Sequence, residues 1–397
     1  MVFNTGWNRK CSRRFFIRRI AGSTVCLIAG GNAGGLRSQA QETFSPFDNL
    51  NAALSPIREK GELPALAVAV MKNNKLAGAG AVGVRKAGGS DAVTLQDKFH
   101  IGSCTKSMTA TLAAMLVEEG KISWDTTVGE MFPEWAGTIH SDYKTDTLDW
   151  LLSNRGGTPT ELKADGLWGA LWARSTETPV NQRLFLARNL LSKPPAARPG
   201  TKFIYSNAGF AIGGTMLEKK MGKPWETLIT ERLFAPLKMS SAGFGMPASR
   251  GKVDQPWGHR IQNDKTVPFP PGPGDDNPAA IGPAGIVHCS VIDFAKYTNL
   301  HVQGQRGNSK LLKKETFIRL HAPQPGQEYA RGWFVVNRGW AHGKALNHNG
   351  SNTMNFCVMW LAPERDFSVV IMCNTVGPKA EKACDDAASA MIKKYLG

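Results

Sequence analysis

Long apolar runs are missing from this chain. No stretch of about 18 or more uninterrupted apolar residues occurs, so no integral membrane domain is expected. Cysteine is scarce and unpatterned. Of the seven, Cys11 and Cys26 lie near the N-terminus, while Cys104, Cys289, Cys357, Cys373 and Cys384 are widely spaced, odd in number and without a C-x-x-C pair. That excludes a disulfide framework, lends no support to a zinc site or thioredoxin-like motif, and predicts small buried apolar thiols. No P-loop, H-E-x-x-H or G-x-S-x-G occurs, which removes the usual signatures of NTPases, zincins and α/β-hydrolases. No metal or cofactor is expected. What is present is a globular, loop-rich composition: 397 residues, 42% hydrophobic, 20% charged, with 42 Gly and 23 Pro.

The formal charge of +16 is unevenly spread, with +7 of it in the first 40 residues. Seven of the 48 basic side chains and none of the 32 acidic ones fall in residues 1–40, which leaves 41 basic against 32 acidic, or +9, for the rest. Those remaining charges are interspersed, without the Lys/Arg-dense helix or arm that a nucleic-acid partner calls for. The N-terminal segment Ser12-Arg13-Arg14-Phe15-Phe16-Ile17-Arg18 resembles a twin-arginine export signal. A mildly apolar stretch from Ile20 to Gly31 follows, and then Ser38-Gln39-Ala40, small residues at the positions a signal peptidase reads. Cleavage after Ala40, handling by the twin-arginine machinery, and a periplasmic or otherwise exported product without stable membrane insertion are the expectations.

Periodicity then divides the chain. Phe47, Leu50, Leu54 and Ile57 predict an amphipathic helix ending near Gly61. Strand-like runs follow at Leu66 to Met71 and Lys75 to Val84, joined by Asn73-Asn74, residues that tolerate positive φ. Near the other end, Trp333 to Val336, Ala345 to His348, Met354 to Leu361 and Phe367 to Cys373 read as strands, broken among other places at Asn349-Gly350, before a last helix carrying Ala380, Cys384, Ala387, Met391 and Tyr395. The middle is mainly helical. The expected fold is α/β (α+β): an antiparallel sheet flanked by helices, built from both chain ends (41–102 and 284–397), with an inserted helical domain over 103–283.

Gly78-Ala79-Gly80-Ala81-Val82-Gly83 matches the dinucleotide pattern G-x-G-x-x-G. The helix that would aim its N–H groups at a pyrophosphate is not there, because Arg85 to Gly89 reads as a turn, so nucleotide binding is not expected. A different set survives: Ser103-Cys104-Thr105-Lys106, Tyr205-Ser206-Asn207 and His348-Asn349-Gly350. Each is cheap alone, and the chain holds decoys in Ser141 to Lys144 and Tyr297 to Asn299. Ser103 follows Gly102 and opens a helix whose Cys104, Met108, Leu112, Met115 and Leu116 make an apolar stripe. There its oxygen sits by free N–H groups that favour a developing anion, and Lys106 lies on the same face one turn on. A desolvated Lys106 takes or relays the serine proton. Tyr205 enters a second helix in a loop, Tyr297 falls mid-helix in the core, and Cys104 points into the apolar stripe. By its surroundings alone His348 reads equally as a hairpin-turn residue or a site residue. Asp275 and Asp276, in the Pro268 to Pro283 loop, either line the site entrance or are simply solvated, and solvation is the expectation.

In order and context, the S-x-x-K, Y-x-N and H-x-G motifs resemble the serine β-lactamase and penicillin-recognising DD-peptidase superfamily, in particular the class C branch and its esterase relatives. Phe99-His100-Ile101-Gly102, Leu151-Leu152-Ser153-Asn154, Phe203 to Gly209, Gly282 to Val287 and Asp293-Phe294-Ala295 extend the match over nearly the whole chain past residue 40. The resemblance implies Ser103 as the acylated nucleophile, Lys106 and Tyr205 sharing acid and base work, Asn207 orienting the substrate, and His348, Gly350 and Ser351 forming the substrate edge, with Ser103 and Ser351 N–H groups as oxyanion hole. The implied substrate is a small β-lactam, ester or peptidoglycan-type peptide. Two departures stand out: His348-Asn349-Gly350 replaces the usual K-T-G, and Asn154-Arg155-Gly156-Gly157 replaces the common H-T-S-G. The competing reading is a non-catalytic or penicillin-sensing module of the same fold.

Overall fold

The computed structural model describes residues 47–163, 166–272 and 274–397, so the export signal read from the sequence lies outside the described residues. In chain order the strands are β1 (Asp48–Asn49), β2 (Ala65–Lys72), β3 (Lys75–Gly83), β4 (Lys98–His100), β5 (Gly243–Phe244), β6 (Gly258–Gln262), β7 (Lys265–Phe269), β8 (Val287–Ser290), β9 (Phe334–Arg338), β10 (Gly343–Ser351), β11 (Phe356–Ala362) and β12 (Phe367–Cys373). Seven of them form one sheet in the order β1-β3-β2-β12-β11-β10-β9. Its centre is the antiparallel pairing of β2 with β12, so the two chain ends meet in the middle of the sheet.

The alternation along these strands explains the layering. Ala65, Ala67, Ala69, Met359, Val370 and Met372 face the core shared with the helical insertion. Leu66, Val68, Val70, Val358, Val369 and Ile371 face the opposite core, under the helices Asn51–Lys60 and Pro378–Leu396. Sheet residues at successive positions point to opposite faces, and here both faces are covered, so the strands read as continuous apolar runs. Asn73 and Asn74 adopt φ of 51° and 59°, the paired left-handed turn expected of that hairpin. The five described cysteines are buried and free.

Several expectations were displaced. The first helix begins at Asn51 rather than Phe47, because Asp48 and Asn49 pair in parallel with β3. Asn349-Gly350 does not interrupt a strand: β10 continues through Ser351, and the chain turns at Asn352 to Asn355, with Thr353 at φ 73°. The glycines of G-x-G-x-x-G lie within β3, where a Cβ on Gly78 would come 2.1 Å from the Tyr395 hydroxyl and one on Gly80 2.8 Å from Asn51 Oδ1. They serve helix packing. A small sheet in the order β4-β8-β5 and the β6–β7 hairpin went unread, since strands of two to five residues leave little period-two signal.

Candidate active site

The 3₁₀ turn Gly102–Cys104 leads directly into the helix Thr105–Glu118, almost all of which is buried. Ser103 is the partly exposed residue in this stretch, its neighbours from Ile101 to Leu116 being buried. Cys104 is fully buried, as its position in the apolar stripe requires. Backbone contact between the turn and β10 needs two glycines. Gly102 has φ +50°, and a Cβ there would lie 2.2 Å from Ser351 N; a Cβ on Gly350 would lie 2.1 Å from Ile101 O and 2.6 Å from Ser103 N. Gly350 therefore stands in β10 for close approach, not for a turn.

Lys106 is fully buried and makes three hydrogen-bonding contacts: Nζ lies 2.6 Å from Asn207 Oδ1, 3.0 Å from Ala284 O and 3.1 Å from Ser103 Oγ. Desolvation holds the amine down at about 7. A neutral amine has two hydrogens and one lone pair. Asn207 Oδ1 and Ala284 O can only accept, so they take both hydrogens, and the lone pair is left for the Ser103 hydroxyl. The segment that delivers Ala284 O is pinned to the same helix: Thr109 Oγ1 donates to Pro283 O at 2.6 Å, and Val287 N donates to Thr105 Oγ1 at 3.2 Å.

Tyr205 sits just before the helix Asn207–Met221, which Ser206 caps through Gly209 N. Its ring lies beside Lys106, with Nζ 4.7 Å from the ring centroid. Burial raises the phenol well above its ordinary range, and a hydrogen bond with Ser103 offsets part of that rise. The phenol thus stays protonated at neutral pH and is a proton donor or relay.

His348 is on β10, in the middle of a strand and not in a hairpin turn as its surroundings in sequence allowed. It is 1% exposed. Burial first, and the Lys106 amine second, lower the imidazole to about 3. Nδ1–H donates to Asn349 O at 2.5 Å, which leaves Nε2 to accept from the Tyr329 hydroxyl at 3.3 Å. Tyr205, Tyr329, Phe334 and His348 make ring contacts at centroid separations of 4.8 to 6.4 Å, and Phe203 joins them through Tyr329 at 5.4 Å. Ser351 is partly exposed and its Oγ accepts from Thr353 N at 2.9 Å.

The structure thus brings Ser103, Lys106, Tyr205, Asn207, His348, Gly350 and Ser351 into one site. Three contributors were not read from the sequence. Ala284 acts through a carbonyl, which no side-chain pattern reveals. Asn154, which in the sequence ends a matching stretch and starts a departing one without being given a role, has φ 58°; its Oδ1 accepts from Ser206 N at 3.0 Å and its carbonyl from Ile204 N at 2.8 Å, so it straps the backbone on both sides of Tyr205. Asp276, expected in solvent with Asp275, instead has a side chain only 8% exposed and pairs with the buried His100 at 3.0 Å. Asp275 is half-buried, and burial raises its carboxyl.

Known proteins place this geometry in context. The family model described as Beta-lactamase matches residues 50–390. Penicillin-binding protein 4 of Amycolatopsis lactamdurans is 25% identical over 343 residues, covering 83% of this chain and 86% of the relative. The unguisins hydrolase ungD of Aspergillus violaceofuscus (strain CBS 115571) is 27% identical over 251 residues, 60% of this chain and 42% of the relative. Among solved structures, the octameric penicillin-binding protein homologue from Pyrococcus abyssi shares the fold with a TM-score of 0.70 at 23% identity, covering 87% of this chain and 77% of that one. SurE shares it with a TM-score of 0.69 at 20% identity, covering 87% and 74%.

Proposed function

The chain belongs to the beta-lactamase family, and from that premise we propose that it is an exported serine hydrolase that forms an acyl-enzyme on Ser103. The observation that carries this reading is the setting of Lys106: a desolvated amine within 2.6 to 3.1 Å of two obligate acceptors, Asn207 Oδ1 and Ala284 O, and of Ser103 Oγ, so that its neutral form has only its lone pair left for the serine hydroxyl. Lys106 takes the Ser103 proton as Oγ attacks an ester or amide carbonyl. The Ser103 and Ser351 N–H groups hold the oxyanion. Tyr205 gives its proton to the leaving group and is reprotonated by Lys106. Water then replaces the leaving group, the same pair accepts its proton as the water oxygen bonds to the acyl carbon, and the pair returns that proton to Ser103 Oγ as its bond to the acyl carbon breaks. A module that forms no covalent bond has no use for a lysine neutralised beside a serine hydroxyl, whereas a penicillin-sensing module would be acylated at the same Ser103 and would differ in failing to turn over.

His348 occupies the place of the lysine in K-T-G, and burial keeps it uncharged, so it offers no cation to a substrate carboxylate. The partly exposed aromatic edges of Phe203, Tyr205 and Phe334 offer apolar surface instead. The substrate of this reading is an uncharged ester or amide. A panel of a short-chain ester, a chromogenic cephalosporin and a D-Ala-D-Ala peptide tests it. The neutral ester should lead in kcat/KM by about tenfold or more, the worth of one charge-assisted contact; a cephalosporin turned over faster than the ester would overturn the substrate class. Export is tested separately: replacing Arg13 and Arg14 by lysine should hold the precursor in the cytoplasm, and normal periplasmic accumulation would count against it.

A further inference from the structure

One buried hydrogen-bonded pair, His100 and Asp276, links the Ser103 turn to the end of β10. His100 ends β4 and is fully buried. Its Nδ1 accepts the Gly102 N–H at 3.0 Å, which fixes the proton on Nε2, and Nε2–H donates to Asp276 Oδ2 at 3.0 Å. The other oxygen of Asp276 accepts from Asn352 Nδ2 at 3.4 Å. Asn352 is 3% exposed and builds the turn that follows Ser351: its Oδ1 accepts from Met354 N at 3.2 Å, Asn355 N at 2.9 Å and Asn355 Nδ2 at 3.2 Å. A single carboxylate therefore reaches the residue that anchors the strand end after Ser351 and, through His100, the backbone N–H immediately before Ser103.

We infer that Asp276 and His100 are positioning residues for acylation, setting the separation of the Ser103 and Ser351 N–H groups. The inference rests on the reading of Ser103 as the nucleophile. Neither side chain touches Ser103, so both act through the backbone. The requirement is geometric. The turn and β10 already meet at Gly102 and Gly350, where added Cβ atoms would fall within 2.2 Å of backbone atoms, so a shift of either segment moves one N–H relative to the other. Donors aimed at a developing oxyanion lose most of their effect when displaced by a fraction of an ångström. Other charged and titratable groups surround the pair: Asp275 on the same loop, His288 on β8 and Lys98 on β4. His288 is occupied elsewhere, its Nδ1–H donating to Gly245 O at 2.7 Å. Asp275 Oδ2 accepts from Gly272 N at 2.8 Å, a bond within the loop itself.

The test uses covalent labelling by a fluorophosphonate, which needs no knowledge of the natural substrate, read per folded molecule over a range of probe concentrations. Asp276→Asn can accept from His100 or from Asn352 through one oxygen but not from both. His100→Asn supplies an oxygen to Gly102 N–H yet is too short to reach Asp276. Each variant should lower the maximal labelling rate by about tenfold, a partial form of losing an oxyanion donor, with the half-saturating probe concentration unchanged. A purely structural loss would alter the folded fraction instead. Because the two residues form one brace, the double variant should be no slower than either single one. Asp275→Asn should label like the unaltered protein. If the unaltered protein is not labelled at Ser103, the reading of the nucleophile fails. If it is labelled and either single variant keeps its maximal rate, or the losses multiply in the double variant, the brace is wrong.

Discussion

His348 and Lys106 share one desolvated pocket, and the amine of the second helps keep the imidazole of the first neutral. The two groups are held near 3 and 7, so of the two only Lys106 changes charge near neutral pH. The acid limb of kcat/KM should then fall near pH 7 and belong to Lys106. His348→Gln should leave the limb in place. His348→Lys adds a like charge that lowers Lys106 further, so the limb should move to lower pH while the ratio of cephalosporin to neutral-ester turnover rises. An unchanged ratio would remove His348 from the substrate site.

Lys106 itself gives a sharper test. The amine must be neutral to accept the Ser103 proton, so activity falls as pH drops through about 7. Lys106→Ala should lose about 10²–10⁴ in kcat, the usual worth of a general base, and lose the limb with it. Lys106→Arg should do no better, since a guanidinium stays charged. Recovery of more than a tenth of the rate by arginine would contradict the assignment.

Gly350→Ala should abolish rapid labelling, because its Cβ would fall 2.1 Å from Ile101 O and 2.6 Å from Ser103 N. The strain of forcing the turn and β10 apart is about 1–3 kcal/mol. Gly339→Ala meets nothing within 4 Å and should label normally. Thermal melts alongside the labelling rates separate misfolding from misplacement.

Asn154→Gly keeps the backbone free to adopt φ 58° and removes the side-chain strap to Ser206 N, together with the Asn154 side chain's contact with Tyr329. The buried N–H left without its partner costs about 1–3 kcal/mol. Tyr205, now held on one side, should donate less effectively, and kcat should drop more than KM rises. Wild-type kcat in a folded Asn154→Gly protein would show that the strap does not matter for Tyr205.

The parts of this site that were legible in the sequence are those where chemistry is written in neighbouring side chains. Ser103 and Lys106 share a helical turn, and Tyr205 and Asn207 flank the helix cap Ser206. The sheet was legible because β2, β11 and β12 are long and apolar, although the position of the β10 turn was misread since Gly350 looks like a turn residue and is a contact residue. What the sequence hid depends on pairing across distance. His100 and Asp276 are 176 residues apart, and Asn154 reaches a backbone N–H 52 residues away. Asp276 read as solvated because an acid in a Pro/Gly-rich loop ordinarily is; a buried histidine from β4 reverses that.

The most direct measurement is intact-mass and peptide mapping after reaction with a fluorophosphonate or a fluorescent penicillin. The account predicts a single adduct on the peptide carrying Ser103, no adduct in Ser103→Ala, and unchanged labelling when the decoy Ser141 is replaced. An adduct that persists on Ser103→Ala, or that maps to any other residue, would contradict it.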